Sequence, residues 1–222
     1  ISYVNGTLKV TPRDIADAQI DMKQTEYVYG GSAHNPKPIV MMNGKELLNG
    51  TDFELSYANN VNRGTATVTI SGKGNYTGKV EETFQITPKM PEKDVDYKVV
   101  LPADSIYDGK PREASVWTKT GVGEVTVWYN DSTALPVHAG TYNVAVEIAS
   151  SANFSAVKRM DIDSFSINRR TISLDTTALK IEDKTYNGRD DDAQISGLAF
   201  SNLPDGAVLS EGTDYTFATR YA

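Results

Sequence analysis

Gly64-Thr65-Ala66-Thr67-Val68-Thr69-Ile70 and Thr83-Phe84-Gln85-Ile86 decide how this chain folds. In the first stretch Ala66, Val68 and Ile70 alternate with Thr67 and Thr69. A period of two sends neighbouring side chains to opposite faces, so this spelling predicts a strand with one buried face and one wet face. The spelling then returns. Gly140-Thr141-Tyr142-Asn143-Val144 stands 76 residues after Gly64, and Ser164-Phe165-Ser166-Ile167 stands 81 after Thr83. Asn75-Tyr76 is answered by Asn153-Phe154 at 78, and Tyr29-Gly30-Gly31, Tyr107-Asp108-Gly109 and Tyr186-Asn187-Gly188 recur at 78 and 79. Four separate markers with one common spacing describe a repeat. Its period is too long for a solenoid unit and long enough for a small domain.

The two ends extend the pattern. Thr7-Leu8-Lys9-Val10-Thr11-Pro12-Arg13 matches Thr83 to Lys89 at an offset of 76, and Gly212-Thr213-Asp214-Tyr215 matches Gly50-Thr51-Asp52-Phe53 at 162. We therefore expect residues 1–12 to be the last strand of an upstream module. Whole modules are expected over 13–89 and 90–168, with a partial module over 169–222. A partial module would have open strand edges, which stay disordered or take a strand from another copy. The linkers around Pro12, Pro88 and Arg169 are short, and proline stiffens the first two. The expectation is an elongated array.

Composition agrees with strands. There are 19 Val, 13 Ile and 22 Thr against 11 Leu, and β-branched side chains suit pleated surfaces better than helices. Phe53, Leu55 and Tyr57 alternate with Glu54 and Ser56, Val125, Val127 and Tyr129 with Thr126 and Trp128, and Tyr142, Val144, Val146 and Ile148 with Asn143, Ala145 and Glu147 on the wet face. Asn43-Gly44, Asn49-Gly50, Asn59-Asn60, Asp108-Gly109 and Asn187-Gly188 separate such runs with residues that tolerate positive φ. Six to eight short strands per period read as an antiparallel β-sandwich of immunoglobulin-like type. Helix is expected only in short pieces, such as Ile15 to Met22.

Charge and chemistry narrow the function. With 22 basic and 29 acidic residues the net charge is −7, which argues against nucleic acid as a partner. Cysteine is absent, which excludes disulfides, thiolate metal sites and a Cys nucleophile. The two histidines, His34 and His138, occupy non-equivalent positions and belong to no catalytic motif. Tandem copies of one small domain are also a poor setting for a unique active site. The chain is read as no enzyme and as needing no cofactor. No apolar run is long enough to be a transmembrane helix, and a start at Ile1 reads as a fragment of a longer chain.

The series Tyr27-Val28-Tyr29-Gly30-Gly31, Gly50-Thr51-Asp52-Phe53 through Tyr57, Asn59-Asn60, Gly64 to Val68, Gly72-Lys73-Gly74-Asn75-Tyr76-Thr77-Gly78 and Thr83 to Ile86 resembles bacterial surface-protein repeats of the MBG and bacterial Ig-like type. Asp183-Lys184-Thr185-Tyr186-Asn187-Gly188 resembles the opening of a YDG repeat, with Asn187 where that family usually has Asp. The resemblance implies tandem β-sandwich modules in large secreted or wall-attached bacterial proteins with adhesive roles. It implies an extracellular, cell-surface location. The partners it implies are a surface glycan or protein and the neighbouring modules. Its motifs are turn and core residues, so it carries no site residues over.

Some residues stand out as candidate sites. Trp128 aligns with Ser56, which places it on the wet face beside Thr126, where an aromatic could stack on a sugar or pack on a neighbouring module. Trp117 is the second possible ligand contact, with its face unassigned. The repeated Tyr-x-Gly elements read as a Tyr anchoring a hairpin beside a positive-φ Gly. Asp190-Asp191-Asp192, with Glu182, Asp183 and Asp205, lacks a calcium-loop spacing and reads as a solvated loop. Asp161 and Asp163 share one sheet face. Five Asn-x-Ser/Thr triplets, beginning at Asn5, Asn49, Asn75, Asn130 and Asn153, read as turn chemistry. Lys with Asn or Asp forms isopeptide cross-links in some wall-anchored sandwiches, and no spacing here tests that.

Overall fold

The computed structural model describes residues 6–183, 185, 187–189 and 195–216. It is all-β. Among the described residues the helical structure is a single 3-10 turn, Ile15–Asp17, started by the Asp14 side chain accepting from Ala16 N–H at 3.0 Å. The helix expected from Ile15 to Met22 is corrected, because Gln19–Asp21 is a strand. The alternating burial of 19–21 pairs it into a sheet, and only three residues are left for the turn. By contact density the chain falls into two compact units. One is Ile1–Lys98, Thr118–Val125 and Ile148–Lys158; the other is Val99–Trp117, Thr126–Glu147 and Arg159–Ala222.

In the first unit the strands are β1 (Arg13–Asp14), β2 (Gln19–Asp21), β3 (Glu26–Val28), β4 (Ile39–Met42), β5 (Lys45–Glu46), β6 (Phe53–Ala58), β7 (Gly64–Gly72), β8 (Tyr76–Thr77) and β9 (Lys79–Thr87). They form a three-stranded sheet, β2-β4-β5, and a four-stranded sheet, β3-β9-β7-β6, with β1 paired to β8. β4 and β5 join through Asn43-Gly44, both at positive φ (52° and 77°), the two-residue hairpin turn that matches strand twist. The deciding stretch behaves as its alternation requires: Ala66, Val68 and Ile70 on β7 are fully buried. Val40 and Met42 of one sheet share a core cluster with Phe53 and Ile70 of the other and with Ile15. Each such side chain contributes about 1.5–3 kcal/mol by leaving water.

The wholly antiparallel expectation is corrected. β3 runs parallel to β9, with Tyr27 opposite Ile86, and β1 runs parallel to β8. The Tyr-x-Gly element therefore ends a strand that lies beside the last strand, and it does not anchor a hairpin. Tyr29 N–H closes the pairing on Thr87 O at 2.9 Å, and Gly31, at φ 76°, turns the chain away. A left-handed position of this kind favours glycine.

The following strands are β10 (Tyr97–Val100), β11 (Ser105–Ile106), β12 (Ser115–Thr118), β13 (Val125–Tyr129), β14 (Gly140–Ile148) and β15 (Val157–Asn168). They make a sheet of order β11-β15-β14-β13 and a pair, β10-β12. The order repeats that of β3-β9-β7-β6, and β11 again lies parallel to the last strand, with Ser105 opposite Ile167. Tyr107 N–H meets Asn168 O at 2.8 Å and Gly109 sits at φ 77°, as at Tyr29 and Gly31. In the second unit the core includes Tyr129, Val144, Val146, Phe165 and Ile167. Tyr129 Oη accepts from the buried Ala114 N–H at 2.8 Å. Ala145, expected on the wet face of β14, is also buried, so both faces are covered there.

Residues 6–12 lie in no strand and are exposed. Beyond β15, β16 (Ser173–Asp175) pairs with β19 (Ala199–Ser201), and β17 (Lys180–Ile181) pairs with β18 (Ile195–Ser196), all antiparallel. Leu174, Ile181 and Val208 are exposed, and no fully buried hydrophobic side chain occurs after Ile167 among the described residues. No helix among them is long and apolar enough to cross a membrane.

Candidate functional site

Buried polar atoms in folded proteins are nearly always hydrogen-bonded, so each exception calls for an explanation. Among the described residues three buried side-chain atoms have no partner: His34 Nε2, Asp96 Oδ1 and Trp128 Nε1. His34 sits in a loop held by Asn60, whose Nδ2 donates to His34 O at 3.0 Å, and its ring packs 4.9 Å from Tyr27. That arrangement braces a loop. The other two atoms mark sites.

Trp128 lies on β13 and is half-buried, so the exposed ring expected from the alternation is corrected. The cause is Arg159 of β15, whose guanidinium carbon lies 4.7 Å from the indole centre in cation–π geometry. Arg159 Nη2 also donates to Asn130 O and, at 3.1 Å, to Asp131 Oδ1. Asn130, at φ 53°, exchanges backbone and side-chain bonds with Asn143. These four polar residues and Asp161 line an open hollow of about 380 Å³. Trp117, on β12, is 56% exposed and shares no ring contact with Trp128.

The second site begins with a turn. Glu92 to Tyr97 folds so that Asp94 N–H donates to Tyr97 O at 2.7 Å, with Asp94 at φ 65°. The Asp96 carboxylate closes the turn by accepting from Glu92 N–H at 3.1 Å. The same Oδ2 accepts from Lys89 Nζ at 2.5 Å, and Asp96 is fully buried. Lys119 Nζ stands 4.0 Å from Oδ1, beyond hydrogen-bond reach. Burial works to raise the Asp96 carboxyl. The hydrogen bonds from Lys89 and Glu92, with the charges of Lys89 and Lys119, outweigh it and hold the group below the usual carboxylate range. The carboxylate is ionised at neutral pH. A hollow of about 130 Å³ opens over it, walled by the rings of Tyr29 and Phe154, which meet edge to face at 5.5 Å.

Sequence reasoning missed Asp96, Lys89, Lys119 and Arg159. A signal for the first was present: Asp94-Val95-Asp96-Tyr97 has the same form as Gly50-Thr51-Asp52-Phe53 and Gly212-Thr213-Asp214-Tyr215, but with Asp in place of Gly.

Other sequence candidates fall elsewhere. His138 is exposed, and its carbonyl accepts from Tyr142 Oη at 2.9 Å. Asp163 Oδ1 accepts from Ser164 N–H. Glu182 accepts from Ser196 Oγ, and Asp205 is exposed. Asp190, Asp191 and Asp192, like Tyr186, lie outside the described residues, among which no group of three acidic or histidine side chains could hold a metal ion.

A solved structure of titin Ig tandem domains A164-A165 is similar at 12% identity, over 69% of this chain and 96% of that chain, with a TM-score of 0.23. No curated protein matches. The family comparison falls on the second period, whereas most of the quoted motifs came from the first. Residues 101–163 match the family model of the MBG domain, so the likeness to MBG-type surface repeats is shown for that segment.

Proposed function

We propose that this chain is a non-catalytic cell-surface repeat segment, a stalk or adhesin-type array of immunoglobulin-like β-sandwich modules that presents a further domain or itself adheres. The observation that carries the reading is the MBG match over 101–163, set in a sheet whose strand order is the same as that of the preceding period. An array needs repeated folding units more than it needs a unique cleft, and the buried side chains at corresponding places on β7 and β14 support that reading. Antibodies raised against the chain should label intact, unpermeabilised source cells, and beads coated with it should be held by a ligand-bearing surface. Labelling only after permeabilisation overturns the location. Labelling without bead retention leaves the stalk and removes the adhesin.

A second reading is a carbohydrate- or protein-binding module with Trp128 and Trp117 as contacts. It is favoured by the unpartnered Trp128 indole N–H and by Arg159, which lies over the Trp128 ring and lines a hollow together with Asn143 and Asp161. Amphipathic aromatics beside such polar groups suit sugars and polar peptides. A glycan array on which Trp128→Ala loses binding supports it, and a blank array or an unaffected variant counts against it.

A further inference from the structure

We propose that the hollow over Asp96 is a subsite for a vicinal diol, as presented by the terminal sugar of a glycan. Its residues all belong to the first unit and share none with the Trp128 face.

The argument starts from the carboxylate. Asp96 is fully buried, and both of its hydrogen-bond donors, Lys89 Nζ and Glu92 N–H, use Oδ2. Oδ1 is left an acceptor without a donor. Lys119 Nζ, 4.0 Å away on a half-exposed side chain, is a donor too far to satisfy it. An unpaired acceptor and a solvent-facing donor thus stand side by side at the hollow. A cationic ligand would meet Lys89 and Lys119, and an anionic group has no proton to give Oδ1, so a neutral donor fits best.

That group must give a proton to Oδ1 and take one from Lys119 on the same side. A trans secondary amide points its N–H and C=O in opposite directions and fails this test. Two neighbouring hydroxyls pass it, since each both donates and accepts. The walls agree. Tyr29 and Phe154 present aromatic surface to the C–H groups of a sugar ring. The strip at Gly30 is open, with nothing within 4 Å of where a Cβ would stand. About 130 Å³ is room for about four waters, which a hydroxyl pair and the ring edge bearing it would replace.

The test is a titration of the whole ¹⁵N-labelled chain with methyl α-D-mannopyranoside and methyl β-D-galactopyranoside, followed by NMR. Deoxy analogues lacking one hydroxyl of the pair serve as the comparison. Saturable shifts at the Gly30, Gly31, Lys119 and Thr120 amides are expected with at least one sugar. Its deoxy analogue, Lys119→Met and Gly30→Leu should each weaken binding about tenfold or more, the loss expected for one charge-assisted hydrogen bond or for steric blockage. Both substitutions leave the Lys89–Asp96 pair in place, so a loss of binding is read on a folded chain. No saturable shift at these amides, or equal binding by both variants, overturns the proposal. So does a crystal structure in which a water bridges Asp96 Oδ1 and Lys119 and is not displaced by either sugar.

Discussion

Two turns in this molecule share a backbone and differ in what the protein does with them. At residues 48–53 Gly50 N–H donates to Phe53 O at 2.7 Å, and Asp52 Oδ2 accepts from Leu48 N–H at 2.9 Å. At residues 92–97 Asp94 N–H donates to Tyr97 O at 2.7 Å, and Asp96 Oδ2 accepts from Glu92 N–H at 3.1 Å. The first carboxylate is half-buried and caps its turn. The second is buried, bonded to Lys89 and left with a free oxygen at a hollow. A repeated local motif thus becomes a site in one copy through its neighbours. The third copy, 210–215, repeats the capping bond in an exposed setting, with Asp214 Oδ2 accepting from Ser210 N–H at 2.8 Å.

The largest separation between the two turns should come from Asp96→Ala. It removes a cap and strands the Lys89 ammonium, and should cost about 3 kcal/mol. Opening free energies from amide exchange at Glu92 and Lys119 measure it, since Lys119 N–H bonds to Asp96 O. Acid should act on the same group. The folded-state pKa of Asp96 lies below its unfolded value, so its contribution is complete above about pH 4. It is lost as pH falls through the folded value. Protection at Glu92 should therefore be flat from about pH 5 to 8 and fall only in stronger acid; a loss near pH 6 would break the assignment.

Left-handed positions give the next effect. Gly50, at φ 86°, should cost about 1–2 kcal/mol when changed to Ala, read in the exchange of Leu48 and Gly50 amides. Asp52→Ala should cost about 1 kcal/mol, the value of a capping bond, and equality with Asp96→Ala would erase the distinction between the turns. Smallest is Asp94→Gly, which relieves φ 65° and should gain a few tenths of a kcal/mol. A loss would mean that the Asp94 side chain supports the turn.

Much of the fold was legible from period-two alternation. Ala66, Val68, Ile70, Val144 and Val146 are buried where the pattern puts them. Asn43-Gly44 is the hairpin turn its dipeptide announces, and Gly31, Gly109 and Gly188 all take positive φ. The direction of β3 and β11 was not legible. Strands of two or three residues carry no mark of whether their partner runs with or against them. Trp128 shows the same limit at the site. Alternation assigned its face, but Arg159, 31 residues away in sequence, decides its exposure.

By itself the sequence determined the all-β character, the spacing of the repeat and the positions of its left-handed turns. These are local matters, set by side-chain period and by which residues tolerate positive φ. Tertiary structure decided which of three equivalent aspartates is buried. Tyr29, Lys119 and Phe154 converge on Asp96 from distant parts of the chain and join the nearby Lys89, and the ionisation and partners of a carboxylate depend on what surrounds it in space.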